Sequence, residues 1–398
     1  MTIGERLKVA RSYADLSQEI LAERAGVSID TIRKLEQGQR QGARISTLGA
    51  LAHALGITTT ALAEGVIPQE ERRSDELLAI RRTLIPASDF LPSADHDEED
   101  TPPDIAALRR SVEDAWGSYH AADFVTLTRT VPQLLTEARV AAREYTNGEA
   151  QKANAILAKA SQLGAHVLTR SQMEDLALHG LDRARTAAAN SGDPLLNAML
   201  SNSVSWIFMR TGRLSDSENV AVATADSIEP KFRNSTASEV SVYGGLLLSA
   251  MTAAARHRRY DTARELLSVA RAAAVRIGED STDRWTSVFG PTAVAMQAVS
   301  VETAAGEWGA ALRLAQKVPL MGKTPDSWKV WFLVDVAHAQ SQTHRDTEAV
   351  ETLKTVRQIA PDWLRRSGLA KAVIREMLEH PRPPRGVKAL AKFMGVAH

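Results

Sequence analysis

Apolar residues recur every three to four positions along most of this chain, a spacing that places them on one face of an α-helix. In the first 66 residues the pattern divides into five short segments separated by tight turns. From residue 104 onward it runs as helix, short turn, helix, without the strict alternation of a half-buried β-strand. The sequence therefore predicts an all-α fold.

Four turns in the second region resemble one another: TGRLSDSENVAVA, HRRYDTARELLSVA, AGEWGAALRLAQKV and THRDTEAVETLKTV. Aligning them superimposes Leu214, Tyr260, Trp308 and Thr347, with steps of 46, 48 and 39 residues. A single helical hairpin cannot bury its own apolar stripe, so such hairpins stack. The pattern favours an α-solenoid of tetratricopeptide-like helical hairpins, although the steps exceed the roughly 34 residues of a standard repeat. An irregular helical bundle is the alternative.

Residues 67–103 have the character of a connector. They begin with an amphipathic helix in which Leu77, Ile80 and Leu84 share a face, and continue into a loop with six acidic residues between positions 95 and 104. A chain of 398 residues also exceeds what one core usually serves. We therefore predict a small N-terminal domain over 1–66, a linker over 67–103 and a helical repeat domain over 104–398.

Composition narrows the classes of function. Lys plus Arg and Asp plus Glu number 48 each, and cysteine is absent, which suits a reducing compartment and excludes thiolate metal sites. We expect a cytoplasmic protein without a membrane span. The ten histidines form no metal-ligand spacing, and LMGKT at 320–324 lacks the glycine loop of a phosphate-binding motif. The sequence therefore predicts no enzyme, cofactor or metal site.

A short stretch from Gln18 to Leu35 has the residue pattern of two helices that cross steeply. Ala22 permits close approach, and Gly26 supplies the positive φ of the turn. Ser28 can cap the second helix, where Asp30 suits the positive end of the helix dipole. The wedge behind the second helix would be filled by Leu21, Val27, Ile32 and Leu35.

These residues resemble the helix-turn-helix of Cro- and lambda-repressor-like proteins, the xenobiotic-response-element (XRE) family. The resemblance covers about residues 3–65 and implies five helices, of which the third enters the major groove of DNA. Carried across by position, Gln18 contacts a phosphate. Base edges or the adjoining backbone are met by Ser28, Ile29, Asp30, Thr31 and Lys34, and the DNA backbone by Arg33, Gln37, Arg40 and Arg44.

The resemblance also implies an internal ion pair between Arg11 and Glu36. Two residues have alternative roles: Ile29 either meets a thymine methyl group or packs, and Asp30 either accepts from a cytosine amino group or only stabilises the helix start. The first 66 residues carry eight basic and seven acidic side chains. Such a small positive charge gives one copy weak non-specific affinity, so we expect a homodimer on a pseudo-palindromic operator.

A helix-turn-helix domain of this kind, called the reader below (residues 1–66), followed by tetratricopeptide-like repeats is similar to two groups of proteins. One is the peptide-sensing RRNPP superfamily, which would place the protein in quorum sensing, and the other is a set of actinobacterial XRE regulators with an FGPT element. This chain has FGPT at 289–292, but Ala293 and Gln297 stand where the second group commonly has Asn and His. Gly290 and Pro291 mark either a kink or a helix start.

The inner helices of a solenoid line a concave surface, where exposed aromatic, Arg and amide side chains would bind a peptide or small-molecule effector. Asn202, Trp206 and Arg210 recur every four residues and share a helix face. The full set of candidates is Asn202, Trp206, Arg210, Tyr243, Trp285, Phe289, Gln297, Trp328 and Trp331. The leading hypothesis is a dimeric transcription regulator that senses such a signal. The alternative is a regulator whose repeats serve only for dimerisation or protein docking.

Overall fold

The computed structural model describes residues 3–13, 16–39, 43, 45–55, 69–86, 101–231, 234–280, 288–318 and 324–396. These residues form twenty α-helices and no β-strand, which confirms the predicted fold class. The chain divides into two compact units, Met1–Leu78 and Ala79–His398. None of the described helices combines the length and the apolar character needed to cross a membrane.

The first unit is built around a small apolar core. Its helices are α1 (Ile3–Tyr13), α2 (Gln18–Ala25), α3 (Ile29–Glu36) and α4 (Ile45–Ala54). The helix α5 (Gln69–Leu84) begins in this unit and ends in the second. The fifth helix predicted within residues 1–66 falls outside the described residues. The core consists of Leu7, Leu21, Ile32, Leu35, Leu48, Leu51 and Ala52.

The second unit is a succession of helical hairpins. Each hairpin has an A helix followed by a B helix. The A helices are α6 (Ile105–His120), α8 (Asn147–Arg170), α10 (Pro194–Arg210), α12 (Ala237–Arg256), α14 (Pro291–Ala304) and α16 (Asp326–Gln342). The B helices are α7 (Phe124–Glu144), α9 (Glu174–Ser191), α11 (Leu214–Ser227), α13 (Tyr260–Ile277), α15 (Trp308–Ala315) and α17 (Asp346–Ile359). Three further helices follow: α18 (Pro361–Arg366), α19 (Gly368–Glu379) and α20 (Val387–Met394).

The A helices form the inner layer of this stack. Each A helix packs against its own B helix and also against the next A helix, from α6 through to α16. The first A helix, α6, additionally contacts the last, α16, so the row of A helices curves back on itself. Regular hairpins in register, rather than an irregular bundle, thus build the unit, as the repeated turns predicted.

The turn between an A helix and its B helix has the same backbone form in all six hairpins. The third residue before the B helix donates its N–H to the A-helix carbonyl four residues earlier, and the residue after it has a left-handed conformation. In the four turns aligned from sequence, the B helices begin at Leu214, Tyr260, Trp308 and Asp346, the last one residue before the aligned Thr347. The left-handed residues are Ala122 (φ 59°), Gln172 (63°), Gly212 (79°), Arg258 (62°), Gly306 (78°) and His344 (59°).

Replacing the left-handed non-glycine residue of such a turn with glycine should stabilise the second unit. The left-handed conformation costs an L-residue about 1–2 kcal/mol, whereas glycine adopts it freely. His344 is exposed, and its backbone N–H donates to the Ser341 carbonyl 3.0 Å away, a bond that glycine keeps. We expect His344→Gly to raise the free energy of unfolding by about 1 kcal/mol in thermal or urea melts. His344→Ala, the control, should give no comparable gain because alanine retains the strain.

The end of α5 is held against the first hairpins of the second unit. Ile80 and Leu84 are almost completely buried. A Cβ atom added to Gly164 or Gly180 would lie 3.3–3.5 Å from the Leu84 methyl groups, so Leu84 occupies the space left by these two glycines. Arg139 donates to the Leu84 carbonyl at 2.9 Å. The second unit therefore includes the last turns of the predicted connector; of the acidic loop, only residues 101–104 are described.

Candidate nucleic-acid interface and ligand-binding surface

The turn between α2 and α3 has the geometry that the sequence predicted. Gly26 has φ 63° and ψ 29°, and the next residue, Val27, donates its N–H to the Ala22 carbonyl at 3.1 Å. Behind α3, the side chains of Ile32 and Leu35 are completely buried, and Val27 packs against the same core. The buried side holds α3 in place and leaves its opposite side exposed.

The N-terminus of α3 is capped by its own hydroxyl groups. Ser28 Oγ accepts from the Thr31 N–H at 3.3 Å and lies 2.8 Å from Thr31 Oγ1. Ser28 is exposed, whereas Ile29 and Thr31 are half-buried. The exposed start of α3 thus offers hydroxyl groups and backbone N–H groups at the positive end of a helix dipole, an arrangement that suits phosphate or base edges.

The basic side chains of α3 are paired on the surface. Lys34 Nζ lies 2.7 Å from Asp30 Oδ2, and Arg33 Nη2 lies 3.4 Å from Glu19 Oε1. All four side chains are more than half exposed, and such pairs contribute about 0–1 kcal/mol each. A phosphate or a guanine edge can therefore replace either acidic partner at little cost. Asp30 serves here both as a helix-start charge and as the partner of Lys34.

A buried carboxylate ties α1, α2 and α3 together. Arg11 donates to both oxygens of Glu36, at 2.8 and 3.0 Å, which confirms the predicted ion pair. Gln18 Nε2 donates to Glu36 Oε2 at 2.7 Å. Burial raises the pKa of Glu36, but the hydrogen bonds from Arg11 and Gln18 outweigh this effect and hold the pKa below its ordinary value. Because an amide carries two N–H donors, this bond leaves the predicted phosphate contact of Gln18 feasible.

Gly4 is a packing residue that the sequence did not single out. A Cβ atom at this position would lie 1.7 Å from the Leu35 carbonyl oxygen, so the backbones of α1 and α3 touch here. Glycine near the start of a helix is unfavourable for the helix itself, and that cost is the signal that could have indicated a close approach.

The remaining predicted DNA contacts lie at the end of α3 and beyond it. Gln37 is exposed at the C-terminal cap of the helix, and its N–H donates to the Arg33 carbonyl at 2.9 Å. Arg40 and Arg44 lie outside the described residues. The assignment of all ten residues to DNA contacts stays a prediction.

In the second unit, part of the predicted ligand set converges on the inner layer. The Arg170 guanidinium lies 5.2 Å from the Trp206 ring centroid and 5.9 Å from that of Trp331. Arg210 lies 5.7 Å from the same Trp206 centroid and forms an ion pair with Glu174 at 3.3 Å. We call Arg170, Trp206, Arg210, Arg256, Trp331 and Asp335 the inner cluster.

Two members of the inner cluster have shifted acid–base properties. Burial raises the pKa of Asp335 to about 6, although a hydrogen bond from Ser300 and the charge of Arg256 act in the opposite direction. Burial and the like charge of Arg210 lower the pKa of Arg256. The sequence reading missed Arg170, Arg256 and Asp335. The signal that could have identified them is a charged residue on a helix whose other residues are largely apolar.

Removing the Asp335 carboxylate should change the pH dependence of stability. Folding raises its pKa from 3.8 to about 6, so between these values the folded state keeps a proton that the unfolded state has lost. The wild type therefore loses stability as the pH rises through this window. Asp335→Asn has no carboxylate to ionise, so its melting temperature should rise relative to that of the wild type over the same window. Melting temperatures from pH 4 to 8 measure the difference. Asp261→Asn is the control because that side chain is 98% exposed; equal behaviour of both variants would contradict the assignment.

A buried polar network packs against the inner cluster. Gln162 Nε2 donates to Ser203 Oγ at 2.8 Å, and His166 Nε2 lies 2.8 Å from the same oxygen. Burial lowers the pKa of His166 to about 3, which keeps the ring neutral at physiological pH. The His166 ring centroid is 5.0 Å from that of Trp206. This network fixes the position of Trp206, one of the predicted ligand residues.

The other predicted ligand residues are not members of the inner cluster. Asn202 accepts from Ser249 Oγ at 2.5 Å, and Gln297 and Trp328 are half-buried. Trp285 is outside the described residues. Tyr243 is 6% exposed and Phe289 is completely buried, so in this structure both are core residues. Phe289 fills the space over a glycine of α12, and no surface is left on its ring for a ligand.

The FGPT element forms the start of α14 and not a kink. Pro291 is the first residue of the helix, and Asp280 Oδ1 accepts from the N–H groups of Thr292 and Ala293 at 3.0 and 3.2 Å. A Cβ atom on Gly290 would lie 2.5 Å from Asp280 Cα. Glycine is therefore needed for Asp280 to reach the helix end, which gives the element a structural reason.

Three solved structures are similar to this chain. Bacillus thuringiensis PlcR, in complex with the peptide PapR7 and DNA, matches at 12% identity and a TM-score of 0.34, over 79% of this chain and 95% of that one. A Rap protein complexed with Competence and Sporulation Factor matches at 12% and 0.44, over 92% and 100%. PrgX in the PrgX/iCF10 complex matches at 9% and 0.37, over 89% and 95%.

Two sequence comparisons found matches over short stretches of the chain. Over 73 residues, 18% of this chain, the sequence is 38% identical to the immunity repressor protein of Bacillus phage phi105. The chain spans 50% of that relative's length. Residues 2–65 match the family model of the helix-turn-helix domain, and they show the glycine hinge, the buried wedge and the exposed second helix described above. Residues 2–65 of this chain are therefore a helix-turn-helix domain.

Proposed function

We propose that this protein is a sequence-specific DNA-binding regulator of transcription whose helical repeats sense a peptide or small-molecule signal. The observation that carries the proposal is the construction of α3. Its inner side is locked by Ile32 and Leu35, while Ser28, Arg33 and Lys34 are exposed on the outside. A helix fixed in this way can enter the major groove without rearranging. The repressor name of the phage relative, which is 38% identical over 73 residues, supports a role in transcription.

Two copies of the reader would be needed for useful affinity. Residues 1–66 carry one more basic than acidic side chain, so one copy neutralises few phosphates. A homodimer on a pseudo-palindromic operator doubles the contacts, with half-sites about 10 base pairs apart or a multiple of that spacing. We propose that the repeat domain over 104–398 forms the dimer contact. Residues 67–103 would link it to the DNA-binding domain.

The inner cluster supports the sensing role. Arg210 is paired with Glu174, the charge of Asp335 acts on Arg256, and two tryptophan rings flank Arg170. Guanidinium groups bind carboxylates and peptide carbonyls, and the rings provide apolar contact. A signal peptide that binds one curvature of the stack better than another would shift the separation of the two readers.

The DNA proposal is tested by selecting bound duplexes from a random pool and measuring their affinity at several salt concentrations. Lys34→Ala should lose about 1–3 kcal/mol of discrimination at one base pair, because Lys34 would contact a base edge. Arg33→Ala should weaken selected and scrambled duplexes alike and reduce the salt slope by about one. Lys388→Ala, an exposed lysine of α20, is the control and should leave both quantities unchanged. Equal effects of Lys34→Ala and Arg33→Ala would contradict the assignment of Lys34 to a base edge and of Arg33 to the DNA backbone.

The sensing proposal needs a separate measurement. Denaturing mass spectrometry of the purified protein identifies any ligand that co-purifies, and culture extracts fractionated by size are then tested for a shift in melting temperature. A ligand at a hundred times its Kd should stabilise the protein by about 2.7 kcal/mol. Arg210→Gln and Trp206→Ala should abolish the shift. If no fraction shifts the wild type, the repeats serve only for dimerisation or protein docking.

A further inference from the structure

Three consecutive inner helices end in an arginine. Arg170, Arg210 and Arg256 are the last residues of α8, α10 and α12, and each directly precedes the residue whose N–H donates at the start of the turn. They therefore occupy the same position in successive hairpins, and we call them the arginine row. The corresponding residues of the other hairpins are His120, Ala304 and Gln342. Because α8 contacts α10 and α10 contacts α12, the row places three guanidinium groups on neighbouring helices.

The arginine row carries more positive charge than its acidic neighbours balance. Arg210 is paired with Glu174 at 3.3 Å, but neither Arg170 nor Arg256 forms an ion pair with any residue that the structure describes. Burial and the like charge of Arg210 lower the pKa of Arg256 against the opposing charge of Asp335. Three arginines against two carboxylates leave one net positive charge. A partly buried charge without a partner is costly, so an anionic ligand would stabilise this arrangement.

The surroundings of Arg170 position its guanidinium without supplying a carboxylate. The group lies 5.2–5.9 Å from the ring centroids of Tyr119, Phe124, Trp206 and Trp331. Its Nη2 donates to Tyr119 Oη at 3.3 Å, whereas its Nε has no hydrogen-bond partner among the described residues. Aromatic faces attract a cation but do not accept the N–H groups in the plane of the guanidinium. A ligand carboxylate would provide acceptors that these rings lack.

We propose that the arginine row binds an extended peptide whose acidic side chains pair with Arg170 and Arg256. Packed neighbouring helices lie about 8–10 Å apart, so the row spans about 16–20 Å. An extended chain advances about 3.3 Å per residue, so about five or six residues follow the whole row, whereas a small carboxylic acid cannot. Trp331, 37% exposed beside Arg170, adds apolar contact. The inference rests on the proposed sensing function and adds the chemical class of the signal.

A random library of seven-residue peptides, incubated with the full chain in about 0.15 M salt, tests this class of ligand. Bound peptides identified by mass spectrometry should be enriched in Asp and Glu over the input library. Changing those residues of a selected peptide to Asn and Gln should weaken its binding about tenfold in calorimetry. Arg170→Gln and Arg256→Gln should each have a similar effect on the acidic peptide, as loss of a charged hydrogen-bond partner does. The matched control is Arg271→Gln, an exposed arginine of the outer helix α13, which should bind as the wild type does.

A charge-reversal variant separates loss of an ion pair from loss of folding. Arg256→Glu should lose the acidic peptides and should select peptides enriched in Lys and Arg from the same library. The inference is overturned if the wild type selects peptides without acidic enrichment, or if both Gln variants bind the acidic peptide normally. In either case a peptide still binds, so the proposed sensing function stands. If neither the library nor the culture extracts yield a ligand, the sensing function fails and this inference fails with it.

Discussion

Gly4→Ala should abolish DNA binding while leaving the repeat unit folded. The new methyl group would lie 1.7 Å from the Leu35 carbonyl oxygen, where the backbones of α1 and α3 meet. Neither backbone can yield without moving α3 off its core. Overpacking of this kind costs about 3 kcal/mol or more when the obstacle is backbone, a large fraction of the stability of a small domain. Duplex affinity and hydrogen exchange of residues 3–36 measure the effect.

The matched control is the same substitution at a helical glycine with free space around it. Gly117 in α6 has no atom within 4 Å of an added Cβ. Gly117→Ala should therefore stabilise its unit by about 0.5–1 kcal/mol through helix propensity alone, with DNA affinity unchanged. Wild-type DNA affinity in Gly4→Ala would show that α1 and α3 do not meet as described.

Phe289→Ala should strongly destabilise the second unit. The ring is completely buried, and its atoms would lie 2.0–2.4 Å from a Cβ added to Gly244. Removing such a ring leaves a cavity and costs about 3–5 kcal/mol. Urea or thermal unfolding of the full chain, followed by tryptophan fluorescence, measures the loss, because the tryptophans all lie beyond residue 115.

A double variant tests whether the loss of stability comes from the packing of Phe289 against Gly244. Gly244→Ala alone should also be strongly destabilising because the methyl group overlaps the ring. Adding Phe289→Leu should recover part of that loss, since a smaller side chain makes room for the methyl group. Strict additivity of the two changes would mean that the residues do not touch, and the placement of Phe289 in the core would be wrong.

Much of the reader could be predicted from residues close together in the sequence. The hinge at Gly26, the cap at Ser28 and the buried Ile32 and Leu35 obey local rules of turn geometry and helix periodicity. The same holds for the B helices that begin at Leu214 and Trp308, because a glycine two residues before a helix is a local signal. The ligand surface stays a prediction: Trp206, Arg210 and Trp331 lie around the same inner cluster, whereas Phe289 and Tyr243 are buried.

The sequence by itself determined which segments are helical, where the repeats turn and that α3 has one buried and one exposed side, since each depends on neighbours a few positions away. Only the tertiary structure decided which helices touch. The contact between α6 and α16 follows from curvature summed over many hairpins, and it brings Arg170 to Trp331. The contact of Gly4 with Leu35 likewise joins backbones far apart in the chain. A pattern along the sequence records that a residue is apolar, charged or small, but the partner it meets is fixed by packing between helices.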